Sequence, residues 1–561
     1  QVVIGDIERS RSMDKKTVYV LGADSTGMPR VSKESGLLSK EEKDLLAAQG
    51  IVLPSNQEHT DSNEALLIYN LITKPSHMLH MSYAADTGSG SAIPSSIMNQ
   101  ACLIYPGIRI KTARDLDAKY YITVPGPTIS IMAGEIKRYA YGEEPDEIWL
   151  ELLRYYLRDG KHRKRVDAAM AGIFYDNTRP PVGRELASEL YRSPLKVSTT
   201  RIDSFARCPF SHLIKYGLKA RQRKVYEIDP AEMGQVLHMT VEEFIAKLKE
   251  NFPEIGTITR EESDRVIGEI FERSAQELFK EHDLREKRNQ HILGKLKKTA
   301  FMAGYSCVEQ LRAGRFELMY QEERFAQGSE IPPLIFEIDG ETIVLEGTID
   351  RVDVLEDGER KFIKIIDYKT RSKAFSLSDA YNGLDIQLIV YLSAAMQSSA
   401  FIKNETYPAG VFYFPVINPV INTQSRDRQK IEELIRAQMK MDGIVLHDIK
   451  IIEAINGKVE DTSIKTKGRS RKEHMLELEE FDALISRVEN RISEYLEEMI
   501  SGVIEPSPVI IPKTGSKACD YCRYSSICRF DEELESDMYK KIPQYSNEEV
   551  IKKLGEVKAD E

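Results

Sequence analysis

The sequence is poor in cysteine and tryptophan, with six of the first and one of the second among 561 residues. So few thiols in so long a chain cannot supply the disulfide framework of a secreted protein, and they point to a reducing cytoplasm. No apolar run approaches the roughly 18 residues of a membrane span. A signal peptide is missing, and the chain opens on Gln1 rather than Met, which reads as a fragment. No phosphate loop of the form G-x-x-x-x-G-K-[ST] occurs. Excess positive charge is lacking too: the net charge of −11 argues against indiscriminate nucleic-acid binding. Three basic runs remain as local DNA contacts or solvated loops: Lys161 to Arg165, Arg221 to Lys224 and Lys465 to Lys472. What is present is globular material, 41% hydrophobic and 30% charged, in a length that suggests three or four domains.

The cysteines are unevenly spread. Cys519, Cys522 and Cys528 crowd into "KACDYCRYSSICRFD", and three thiols so close call for a fourth ligand. Cys102 and Cys307 sit in apolar settings typical of buried thiols. Cys208 differs, because Pro209 disfavours helical geometry at the residue before it and so places this thiol at a helix end. Ser198 or Thr199 is the expected cap of that helix. A small core residue fits Cys208 equally well, and spacing does not separate zinc from iron–sulfur.

Between the cysteines lies "VLEGTIDRVDVLEDGERKFIKIIDYKT", two runs rich in Val and Ile around an Asp-Gly turn signal. This predicts an antiparallel hairpin with Asp350 on the first strand and Asp367 and Lys369 near the end of the second. Side chains alternate along a strand, so Asp367 and Lys369 share a face with Tyr368 opposite. Two carboxylates and a lysine on neighbouring strands form a site for a hard cation such as Mg2+ beside a positive charge, as phosphodiester hydrolysis requires. A surface ion pair between acidic strands is the simpler alternative. Upstream, Asp229 and Pro230 open a helix whose face carries Gly234 and, one turn later, His238. Downstream, "LDIQLIVYLSAAM" reads as a helix with Gln387 and Tyr391 stacked four apart.

The ordered set G-x-x-x-H, G-x-x-D-R-x-D, D-Y-K-T and Q-x-x-x-Y resembles the RecB-type nucleases of the PD-(D/E)-X-K superfamily. With a C-P-F cysteine before these motifs and C-x-x-C plus a further cysteine after them, it is similar to the iron–sulfur branch. That branch includes the AddB subunits of bacterial helicase–nucleases and the Cas4 and Dna2-type enzymes. The resemblance spans about residues 196 to 535. It implies that His238, Asp350 and Asp367 hold catalytic Mg2+ and that Lys369 positions the attacking water. It further implies that Gln387 and Tyr391 support the site or the DNA. A [4Fe–4S] cluster on Cys208, Cys519, Cys522 and Cys528 would close the domain like a clasp.

Alternating strands and helices in the first hundred residues predict an α/β domain. "TVYVLGA" reads as a buried strand of a parallel sheet. A helix then runs from a Ser39 cap with Glu42 three residues on, to Gly50 as its stop. The order resembles the second motor domain of superfamily 1 helicases, with Lys74 of "YNLITKP" where that family carries an ATP-contacting arginine. Lysine lacks the bidentate fork, so motor activity is not expected here. The expected fold class is thus α/β: a helicase-like domain (1–110), a connecting mixed region (111–195), an iron–sulfur nuclease domain (196–540) and a C-terminal tail (541–561). The combination resembles the AddB family. It implies a heterodimer with an AddA-type subunit and double-strand break resection in the bacterial cytoplasm. It also implies Chi scanning and cutting of the 5′-ended strand. A stand-alone Cas4- or Dna2-like nuclease and a zinc-stapled DNA-binding scaffold are the rival readings.

Overall fold

The computed structural model describes residues 2–8, 15–30, 40–51, 57–85, 91–108, 110–112, 116–174, 180–191, 195–221, 228–251, 257–280, 282–371, 373–401, 405–423, 427–456, 474–511, 514–532 and 535–556. Ser39, residues 222–224 of the second basic run and all of the third lie outside the described residues. The chain forms two compact units, Gln1–Tyr175 and Asp176–Glu561.

In the first unit, strand Thr17–Leu21 pairs in parallel with strand Met78–Ser82. The pairing matches the sequence pattern, but burial does not: Tyr19 is 67% and Leu21 79% exposed. Val20 and Met81 pack on Ile68, Met28 and Ala23, so only one face of the pair is covered. Helix Gln57–Thr73 leads into Lys74 and the second strand, and helix Lys40–Ala48 is followed by Gly50 at φ +81. Further along, helices Pro125–Ala140, Glu147–Arg158 and Arg163–Ile173 enclose Met132, Trp149 and Val166. Asp146 caps the middle helix through the amide of Ile148. Within the first basic run, Arg163 pairs with Asp167 on that last helix.

The second unit is built on a six-stranded mixed sheet. Its order is Met475–Leu476, Asp442–Leu446, Glu405–Pro415, Arg360–Lys369, Gly347–Asp357, Glu317–Phe325. The expected hairpin is at its centre, turned by a two-residue loop whose first member, Gly358, has φ +68. Because both faces are covered, Ile349, Val352, Ile363, Ile365 and Ile366 are all buried. One face also holds a buried ionic group. Asp353 accepts two 2.7 Å bonds from Arg351 and lies 2.8 Å from Lys364 Nζ, while Gln310 Oε1 accepts from Arg351 at 3.0 Å. Residues 541–561, expected as a tail, contain helix Asn547–Glu556, which buries Val550 and Leu554 in the main core. Among the described residues no helix is long and apolar enough to cross a membrane.

Candidate active site

Helix Pro230–Asn251 starts where the sequence places it. Asp229 Oδ1 accepts the amides of Ala231 and Glu232 at 2.7 and 2.8 Å, and Pro230 occupies a position that needs no donor. Glycine costs a helix about 1 kcal/mol relative to alanine. Gly234 is tolerated because the helix meets the sheet there: a Cβ would lie 2.9 Å from Thr370 Oγ1. One turn later His238 Nε2 lies 2.9 Å from Asp350 Oδ2.

The ladder between the two strands ends at Arg351 and Ile366, and Asp350 and Asp367 are the next residues on each strand, with the charge of Asp350 acting on Asp367. Asp350 Oδ2 also accepts the Tyr368 amide at 2.9 Å. Asp367, 1% exposed, ion-pairs with Lys369 Nζ at 2.5 Å, as side chains two apart on one strand face can. Lys369 Nζ donates to Gln387 Oε1 at 3.0 Å, which leaves Gln387 Nε2 to donate to Tyr391 at 2.7 Å. The structure therefore brings Asp350, Asp367, Lys369, His238, Gln387 and Tyr391 into one connected array.

Two further carboxylates belong to it. Glu242 Oε2 and Glu322 Oε1 lie 3.8 and 3.6 Å from His238 Nδ1, and the three residues each place one ligand atom within 4.8 Å of the others. Glu242 was findable, since it follows His238 by one helical turn. Glu322 carries no local signal: it is one of two adjacent acids in "YQEERF". Its backbone has φ +48, costly for a residue with a Cβ. Burial and the charge of Asp350 push Asp367 up to about 6, against the pull of Lys369. Burial, Asp350 and Glu242 push Glu322 up to about 7. Burial opposes the His238 imidazolium, but hydrogen bonds to Asp350 and Glu242 prevail and raise it to about 10. Crowded anions held by one histidine fit a divalent cation, and Glu322 Oε1 has no hydrogen-bond partner among the described residues.

Residues 196–529 match the family model described as the PD-(D/E)XK nuclease superfamily. The chain belongs to that superfamily. Members of this fold use a divalent metal, which the oxygen-rich donor set here suits. Residues 115–172, the helical group of the first unit, match the fifth domain of the ATP-dependent helicase/deoxyribonuclease AddB. Over 99% of its length the chain is similar to the B subunit of the ATP-dependent helicase/deoxyribonuclease of Alkaliphilus oremlandii, at 33% identity, covering 49% of that protein. The corresponding proteins of Alkaliphilus metalliredigens and Clostridium perfringens are 32% and 30% identical, also over 99% of this chain and 49% and 50% of theirs. The chain thus spans about half the length of the curated relatives it matches.

The second unit carries another pocket. Ser198 caps helix Thr199–Arg207, and Cys208 is extended (φ −169, ψ 113) between it and helix Pro209–His212. Cys208, Cys519, Cys522 and Cys528 all line one cavity of about 370 Å³. Burial pushes the Cys208 thiol up to about 11, and burial together with the other thiols pushes Cys519 up to about 12. Cys102 and Cys307 are elsewhere, in helices Ser96–Ile104 and Lys287–Ala313. A tetrahedral zinc with bonds of about 2.3 Å would hold its sulfurs only about 3.8 Å apart. Among the described residues no three of these thiols lie within 4.8 Å of one another.

Proposed function

We propose that this chain is the nuclease-bearing part of a helicase–nuclease and hydrolyses DNA phosphodiester bonds with Mg2+. The observation that carries this is the convergence of Asp350 and Asp367 where the hairpin ladder ends, with Lys369 ion-paired to Asp367. Asp350, Asp367 and His238 would hold the cation. When bound it supplies Lewis acidity and a nucleophile competent at neutral pH. Lys369, oriented by Asp367 and by Gln387 Oε1, keeps its third N–H donor for the attacking water or for charge developing on the phosphoryl oxygens. Gln387 is fixed in turn by Tyr391.

The four-cysteine pocket is proposed to hold a [4Fe–4S] cluster that joins the segment before the nuclease motifs to the segment after them. The relatives' names make each of them one component of an ATP-dependent helicase/deoxyribonuclease, which supports a complex with an AddA-type partner in the bacterial cytoplasm. Within it, this chain would cut the 5′-ended strand during resection of double-strand breaks. The test uses the complete complex with the partner's nuclease disabled. Asp367→Ala is expected to abolish Mg2+-dependent cleavage while DNA-end binding and iron content stay at wild-type levels. Full cleavage by that variant would remove the basis of the assignment.

A further inference from the structure

We propose that Asp385 is a positioning residue of the nuclease site, acting on Lys369 through Gln387; this rests on the reading above. Asp385 precedes helix Gln387–Met396 and has φ +50, a left-handed conformation that a residue with a Cβ adopts at a cost of about 1–3 kcal/mol. Glycine would take this backbone without strain. The carboxylate is therefore the feature to explain.

That carboxylate is held from two sides. Asp385 Oδ1 accepts from Arg207 Nη2 and from Lys373 Nζ, each at 3.1 Å. The Asp385 amide donates to Asp203 Oδ1 at 3.2 Å, and Asp203 Oδ2 accepts from Arg207 Nε at 2.8 Å. Asp203 and Arg207 share one helix, which ends at Cys208, and Arg207 itself borders the cysteine pocket. On the other side, Lys373 and Lys369 lie over the same Tyr413 ring, at 4.8 and 5.2 Å. Three bonds, two to the carboxylate and one from the amide, thus hold Asp385 two residues before Gln387, whose Oε1 receives Lys369. Without them the first turn of the helix is free to relax its left-handed entry, and the Gln387 amide moves with it. A shift of about 1 Å in a positioning group is enough to cost a large factor in rate.

The test is a double-mutant cycle in the complex with the partner's nuclease disabled. Asp385→Gly removes the carboxylate and relieves the backbone. It is expected to lower kcat about tenfold with KM for DNA and melting temperature near wild type. Asp385→Asn keeps both the tolerated backbone and an oxygen acceptor, and is expected to stay within about threefold of wild type. If Asp385 acts through Gln387, adding Asp385→Gly to Gln387→Ala causes little further loss. Multiplying losses in the double variant, equal losses for the asparagine and glycine variants, or a glycine variant with wild-type kcat each overturn the proposal. Failure of the underlying reading looks different: cleavage would then survive Asp367→Ala, and the inference would fall with it.

Discussion

Glu322 stands opposite Asp350 on neighbouring strands, flanked by the pairs Gln321–Arg351 and Glu323–Ile349. Its left-handed backbone interrupts a strand that has no turn there. Strain of about 1–3 kcal/mol persists in a fold only where the surroundings impose it, and it concentrates at functional sites. Here it puts a carboxylate against Asp350 and Glu242, with His238 as the only compensating charge among the causes that shift it.

Glu322→Gln should therefore weaken Mg2+ or Mn2+ binding by roughly tenfold to a hundredfold, the range for groups that support metal ligands. The same change should raise the melting temperature of the metal-free protein, because it removes one of the mutually repelling acids. Calorimetric titration with Mn2+ checks the first part. Unchanged affinity would exclude Glu322 from the metal site.

Proton and cation compete for these groups. Asp367, ordinarily near 3.8, titrates near about 6 when folded, so the folded state holds the extra proton in between. Its contribution to stability is present below about pH 4 and lost as pH rises through about 6. His238, raised from 6.5 to about 10, contributes stability that is lost as pH rises through about 10. Metal-free protein should thus melt at falling temperature from pH 5 to pH 9, with Asp367→Asn flattening the lower part by at most about 3 kcal/mol. Mg2+ should stabilise most at high pH, since its ligands bind deprotonated. A stabilisation by Mg2+ that is equal at pH 5.5 and pH 8 would contradict this arrangement.

Gly234→Ala should improve the isolated helix yet impair the enzyme. The added methyl meets Thr370 Oγ1, which follows Lys369 directly in sequence. We expect a several-fold loss of cleavage, and recovery in the Gly234→Ala/Thr370→Ala double variant, where the opposing hydroxyl is gone. Steady-state cleavage rates of the two variants decide it. No recovery would place the effect of Gly234 elsewhere.

Cys519→Ser should release iron and loosen the segment from about Glu505 onward. A cross-link between Cys208 and Cys519 closes a loop of roughly 310 residues, worth on the order of 5–6 kcal/mol in chain entropy. Limited proteolysis and melting beside Asp367→Ala provide the comparison. Wild-type resistance in an iron-free variant would show that the pocket does not act as a clasp.

Local physics made much of this protein legible from the sequence. Alternating Val and Ile around Asp-Gly specified the hairpin and put Asp367 and Lys369 on one face. Asp229 and Pro230 fixed the start of the helix that carries His238, and Pro209 held Cys208 out of a helix. Each of these depends on residues within a few positions of one another. Tertiary structure decided what depends on pairing between distant segments. Glu322 faces the site only because its strand pairs in one register with Gly347–Asp357, and a slip by one residue would turn its side chain away. Asp385 matters only because a helix some 180 residues earlier presents Arg207 and Asp203 to it. The strand Thr17–Leu21 looked buried because its composition is apolar, yet burial is a property of what covers a strand, and here one face is left open.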